Sequence, residues 1–132
     1  MIEISTDKSK LQVEVIHAFL TDSYWAKGRT INEVKKTIEH CLCFGVYLDG
    51  NQIGFARVAT DYTVFAYLMD VFILPENRGK GYSKQLMKAI IEEPQLSTCK
   101  VWMLKTKDAH NLYKQFEFTE LKHPEKLMER LL

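Results

Sequence analysis

The chain has 132 residues, 46% of them hydrophobic, which suits one compact domain spanning residues 1–132. Its 18 basic and 17 acidic residues leave a formal charge of +1, which argues against the broad cationic surface of a nucleic-acid binder, and no apolar run reaches the ~20 residues of a membrane helix. The start, Met1-Ile2-Glu3-Ile4-Ser5, lacks the pattern of a signal peptide, and Cys41, Cys43 and Cys99 have no metal-ligand spacing and leave an odd thiol, so the expectation is a cytoplasmic protein with reduced, buried cysteines and no bound metal.

In chain order, Ile2 and Ile4 alternate with polar residues and predict a short strand. Ser9 to Gln12 has capping-box spacing, and Leu11, Val15, Ala18 and Phe19 then follow a helical period. Residues 21–29 read as a loop carrying Tyr24, Trp25 and Arg29. Thr30 to Glu33 is a second capping box, followed by Ile31, Val34, Ile38 and Leu42 on one helical face. Residues 43–48 predict a strand, Asp49-Gly50-Asn51 a hairpin turn, and residues 52–60 an antiparallel return with Ile53 and Phe55 on one face. The apolar run 64–74 predicts a central strand that Pro75 ends. A helix after Gly81 carries Leu86, Met87, Ile90 and Ile91 and closes at Pro94. Residues 99–104 predict a strand parallel to an earlier one, because a helix separates them. Asp108 is placed to cap a short helix through Phe116, and residues 117–132 predict one or two final strands. The order implies an α/β (α+β) fold with a mixed, mostly antiparallel sheet flanked by helices.

The most informative segment is Pro75-Glu76-Asn77-Arg78-Gly79-Lys80-Gly81-Tyr82-Ser83, where a strand enters a basic, glycine-containing loop that opens into a helix. Such a loop presents free backbone N–H groups, cationic side chains and a helix N-terminus to one anion. A P-loop is absent, and a dinucleotide fingerprint requires glycine where the chain has Lys84. The remaining pattern, Arg/Gln-x-x-Gly-x-Gly/Ala, fits residues 78–83 with Ser83 in the last small position.

With this loop and the segment Thr106-Lys107-Asp108-Ala109-His110-Asn111-Leu112-Tyr113-Lys114-Gln115-Phe116-Glu117-Phe118, the sequence resembles the GNAT acyltransferase superfamily. The second segment is similar to that family's Asn-x-x-Ala-x-x-Leu-Tyr-x-x-x-Gly-Phe run. The resemblance implies acetyl-coenzyme A as donor, a small primary amine as acceptor, and a central strand that splays from its parallel neighbour to admit the pantetheine arm. It implies that Arg78, Gly79, Lys80, Gly81, Tyr82 and Ser83 receive the pyrophosphate. It also implies that a backbone N–H near Phe72 or Ile73 faces the thioester oxygen, and that Thr106 stands where an asparagine often holds the cofactor arm. Glu117 departs from the usual glycine, where a left-handed cap would be strained.

Tyr113 matches the position that often protonates the departing thiolate; the bland alternative is a packed helix residue. Asp70 is a carboxylate inside an apolar strand, and burying it without a partner is costly. It reads as a base, as an ammonium ligand, or as a structural partner of Arg57. Tyr24, Trp25 and Arg29 wall the acceptor pocket in this reading; Trp25 is equally a plug, and Arg29 equally a surface residue or a ligand for an acceptor carboxylate. Tyr67, Met69 and Phe72 read as core. Short C-terminal strands would leave a sheet edge for a homodimer partner to cover. Two functions follow: an N-acetyltransferase working by direct transfer in a ternary complex, or a non-catalytic acyl-coenzyme A binding module.

Overall fold

The computed structural model describes residues 1–132. One five-stranded sheet runs through it in the order β1 (Ile2–Ser5), β2 (Leu42–Leu48), β3 (Asn51–Thr60), β4 (Phe65–Ile73) and β5 (Val101–Leu104). The first three pairings are antiparallel and the last is parallel. Between β1 and β2 lie α1 (Val13–Asp22) and α2 (Ile31–His40); α3 (Tyr82–Ile91) links β4 to β5, and α4 (His110–Lys114) follows β5. No helix is long and apolar enough to cross a membrane.

Each face of the sheet has its own core. Leu86, Met87 and Ile90 of α3 and Tyr113 of α4 pack with Phe44, Val58, Ala66 and Leu68 on one face. Ile16 and Leu20 of α1 and Val34 and Ile38 of α2 pack with Cys43, Phe55 and Phe72 on the other. The helices therefore bury narrow stripes at helical spacing, and the sheet supplies alternating residues to each.

Local signals account for several boundaries. Thr30 and Glu33 form the expected capping box at α2, with both reciprocal hydrogen bonds present. Asp49 and Gly50 are both left-handed, at φ 51° and 81°, as a tight two-residue hairpin requires. The Ser9 capping box does not form: Asp7 instead caps a 3₁₀ turn at Lys8–Lys10, and α1 starts later, without a side-chain cap. An aspartate just before the turn outcompetes the serine, because its carboxylate accepts from both Ser9 N–H and Ser9 hydroxyl. Leu42, expected on α2, begins β2, and Ile91 of α3 is 40% exposed. Asp108 does not cap α4; the Thr106 hydroxyl accepts from Ala109 N–H instead. Residues 117–132 form no strand, only a 3₁₀ turn at Pro124–Lys126, so β5 is the last strand of the sheet.

Two bulges break the alternation. Ile53 has no partner between the pairs Tyr47–Gln52 and Val46–Gly54, so Ile53 and Phe55, expected on one face, enter different cores. In β4, Asp70 and Val71 together oppose the single residue between Phe55 and Arg57, and Asp70 is left-handed at φ 54°. That bulge changes the face of β4: Leu68 packs with α3, whereas Phe72 packs with α1 and α2.

The end of α4 is a Schellman motif on a non-glycine residue. Phe118 N–H donates to Tyr113 C=O at 3.3 Å and Glu117 N–H to Lys114 C=O at 3.2 Å, with Glu117 left-handed at φ 69°. Glu117→Gly is therefore expected to raise stability by about 1 kcal/mol, read as a higher urea midpoint at unchanged slope. An unchanged or lower midpoint would mean that Glu117 bears no strain.

Candidate active site

β5 pairs with β4 only from Phe65–Val101 to Leu68–Leu104. β4 continues to Ile73 with no strand on that side, so the sheet splays and leaves a slot. A cleft of about 690 Å³ occupies it, lined among others by Tyr67, Met69, Val71, Thr106 and Tyr113. Tyr67 and Met69, read from sequence as core, stand on this wall on either side of the last β4–β5 pair, Leu68–Leu104, beyond which Met69 has no neighbour in β5.

Backbone direction along β4 follows from two contacts. Leu74 N–H donates to Ile53 C=O at 2.7 Å, and Phe72 C=O lies against Gly54. Phe72 and Leu74 thus present their backbones to β3, and Ile73 between them faces the slot. Arg78 Nε donates to Ile73 C=O at 2.9 Å from that side. The Phe72 side chain is buried and stacks on Phe19, with centroids 4.0 Å apart.

Arg78, on the cleft wall, leads into the glycine loop. Gly79 and Gly81 are left-handed, at φ 79° and 80°, and a Cβ on either would meet nothing within 4 Å. Glycine is needed there for backbone conformation and leaves open space above the loop. The backbone N–H groups of residues 79–84 donate to no protein group, and Tyr82 and Ser83 form the first turn of α3. Lys80 is exposed beside them. This is a row of unmade donors at the positive end of a ten-residue helix, suited to a phosphate.

Tyr113 is 9% exposed and reaches the cleft from the α3 face of the sheet. Burial above all, with Tyr24 and Asp108 adding to it, pushes its phenol up to about 12. The proton therefore stays on oxygen at neutral pH. The Thr106 hydroxyl accepts from Ala109 N–H at 3.0 Å and keeps its own proton for another acceptor.

The opposite side of the cleft is built around Asp70, whose side chain is 1% exposed. Trp25 Nε1 donates to Oδ1 at 2.9 Å, while Arg29 Nη1 and Arg57 Nε donate to Oδ2 at 2.7 and 2.8 Å. Two guanidiniums and an indole from β3 and the α1–α2 loop thus meet one carboxylate. Burial opposes the charge on Arg57, but Asp70 and the Cys41 sulfur outweigh it and hold that guanidinium above its ordinary pKa. The Asp70–Arg57 pair was visible in the sequence as one alternative; the Arg29 and Trp25 contacts were not, since they span 41 and 45 residues. Tyr24, 58% exposed, packs its ring edge-on to Trp25, and its hydroxyl accepts from Lys107 N–H at 3.3 Å. The α1–α2 loop therefore touches the β5–α4 loop across the slot. Lys105, Lys107 and Asp108 also line it; sequence reasoning missed them because only the splay brings that loop beside β4.

Comparison with known proteins fits this geometry. The family model described as the acetyltransferase (GNAT) domain matches residues 39–120. A structure from Xanthomonas campestris pv. campestris, provisionally named an acetyltransferase of the GNAT family, superposes with a TM-score of 0.97 at 47% identity, covering 100% of this chain and 94% of the other. A protein of Gibberella zeae, provisionally named an acetyltransferase, is 30% identical over 109 residues; the match covers 67% of this chain and 62% of that relative's length. A Clostridium acetobutylicum structure of the same provisional class, solved with acetyl-coenzyme A, shares the fold at a TM-score of 0.74 and 12% identity, covering 99% of this chain and 96% of the other. The chain belongs to the GNAT acetyltransferase family, as the resemblance in its sequence implied.

Asp70→Asn keeps the shape of the side chain but leaves two largely buried guanidiniums without their counter-charge. It is expected to lose about 3 kcal/mol of stability, measured by chemical denaturation. A variant as stable as the wild type would show that the cluster contributes nothing to folding.

Proposed function

We propose that the protein is an N-acetyltransferase that moves an acetyl group from acetyl-coenzyme A to a primary amine by direct transfer, with both substrates bound to one domain over residues 1–132. The observation that carries this reading is the slot between β4 and β5, with the unpartnered N–H groups of residues 79–84 beside it and Tyr113 on its wall. Three free, buried cysteines suit a reducing compartment such as the cytoplasm.

Acetyl-coenzyme A supplies an activated thioester and a thiolate leaving group. The N–H groups of residues 79–84 hold the pyrophosphate, with Arg78 and Lys80 adding charge. Arg78 has only its Nε engaged, which leaves its terminal nitrogens for phosphate oxygens. The slot-facing backbone of Ile73, next to Phe72, takes the pantetheine arm and places the thioester oxygen against β4. Thr106 donates its hydroxyl proton to the same arm. Tyr113 holds a proton that no protein acceptor shares and delivers it to the leaving sulfur. Asp70 already accepts from three donors, so its part is to fix Arg29 and Trp25 at the acceptor wall, with Tyr24 above them; water in the cleft takes the amine's proton.

Two measurements test this reading. Gly81→Glu forces a side chain into a left-handed position and sets a carboxylate at the pyrophosphate, so coenzyme A affinity by calorimetry should fall by roughly 100-fold or more, while melting temperature shows whether the fold survives. Equal affinity in a folded variant would remove the loop from the site. Tyr113→Phe keeps the ring in its core and should lower single-turnover transfer by roughly 10²–10⁴-fold with little change in coenzyme A affinity. Equal rates would make Tyr113 a packing residue only.

A further inference from the structure

We propose that the amine acceptor also carries a carboxylate, and that Arg29 binds it. This rests on the acetyltransferase reading above and concerns the acceptor end of the same cleft.

The argument begins with charge. Asp70 neutralises one of its two guanidinium partners and leaves the other uncompensated. Arg57 is 8% exposed, has a second contact to Cys41 Sγ at 3.4 Å, and does not reach the cleft. The uncompensated charge is therefore presented by Arg29, which lines the cleft with a side chain 19% exposed. A guanidinium has five N–H donors in a planar fork. Arg29 uses its side chain for one protein hydrogen bond, Nη1 to Asp70. No nitrogen of Arg29 is both buried and unpartnered, so the remaining donors open to the cleft, where a ligand can meet them.

The surroundings select the ligand further. With Arg78 given to the donor's phosphates and Asp70 shared with Arg57, the cleft still carries Arg29, Lys105 and Lys107 against Asp108. An acceptor bearing only ammonium groups meets repulsion on that wall. An amino carboxylate carries no net charge and sets its anion where the surplus lies. The planar fork matches a carboxylate in two parallel hydrogen bonds, and a monoanion matches the single uncompensated charge at Arg29 better than a dianionic phosphate does. Because Asp70 fixes the Nη1 side of Arg29 and also Trp25 Nε1, the free edge of the guanidinium is held beside the indole. Arg29 thus fixes the carboxylate end of the acceptor, leaving the amine to reach the thioester.

The test compares amino carboxylates, their primary amides, plain alkylamines and amino phosphates as acceptors, by thiol release from acetyl-coenzyme A. In the wild type, kcat/KM for amino carboxylates should exceed that for the matched amides by roughly 100-fold, the scale of a charge-assisted hydrogen bond pair. Arg29→Ala should bring that ratio to within about threefold of unity, mostly through KM, and Arg29→Lys should fall between, since it keeps the charge and loses the fork. Lys also preserves a cation beside Asp70, so it reports should the alanine variant fail to fold. Amides or alkylamines equal to the carboxylates, amino phosphates better than both, or a ratio unchanged by either variant would overturn the assignment. If no amine is acetylated, the activity reading fails separately, and the assignment is decided by calorimetry on the wild type with coenzyme A present. Binding of the amino carboxylate but not its amide, weakened in Arg29→Lys, upholds it; equal binding of the two, or none, overturns it.

Discussion

A single buried carboxylate organises one wall of the cleft. Asp70 lies within β4, and a carboxylate taken out of water must find charge or hydrogen bonds to replace its hydration. The replacements come from Arg57 on the neighbouring strand and from Arg29 and Trp25 on a loop distant in sequence. Strict alternation along β4 would point residue 70 to the face where Leu68 packs with α3. The bulge at residues 70 and 71, with Asp70 left-handed, turns the carboxylate to the face that Arg57 shares. Strain in the backbone and the ion cluster are thus two sides of one arrangement: the bulge costs backbone energy, and the three donors it makes reachable offset that cost.

The same strand provides the opening. Where β4 outruns β5, its backbone loses a ladder partner, and the slot reaches both faces of the sheet. The two faces hold different chemistry. The α3 side carries the glycine loop and Tyr113; the α1–α2 side carries Tyr24, Trp25 and Arg29. The Tyr113 phenol, pushed up to about 12 above all by burial, stands on the cleft wall. Tyr24 and Lys107 join the two walls across the slot.

Rigid surroundings hold these groups. Phe72 anchors the end of β4 by stacking on Phe19 of α1, and Arg78 ties the start of the loop to Ile73 while lying 6.0 Å over the Phe19 ring. The short helix α4 has five residues, too few to be stable alone. It is fixed by Tyr113 entering the α3 core and by Phe118 packing edge-on to Tyr113 and Trp102. The Schellman turn at Glu117 brings Phe118 back to make that contact. The strained residue therefore helps hold the side chain that faces the cleft.

The sequence by itself determined whatever depends on neighbours a few residues away. Thr30 and Glu33 specify their capping box, Asp49-Gly50 their turn, Pro75 the end of β4, and Gly79 and Gly81 a loop whose backbone stays free to bind an anion. It also carried the family, because two such local motifs stand in the right order around a strand. The tertiary structure alone decided the rest. Ile53 and Asp70 become bulges, the tail forms no strand, and Asp70 gathers Arg29 and Trp25 as well as Arg57. The physical reason is the same in each case. Register, bulge position and the choice of partner for a buried charge are set by packing between segments far apart in the chain, and no local spacing encodes which distant side chain arrives.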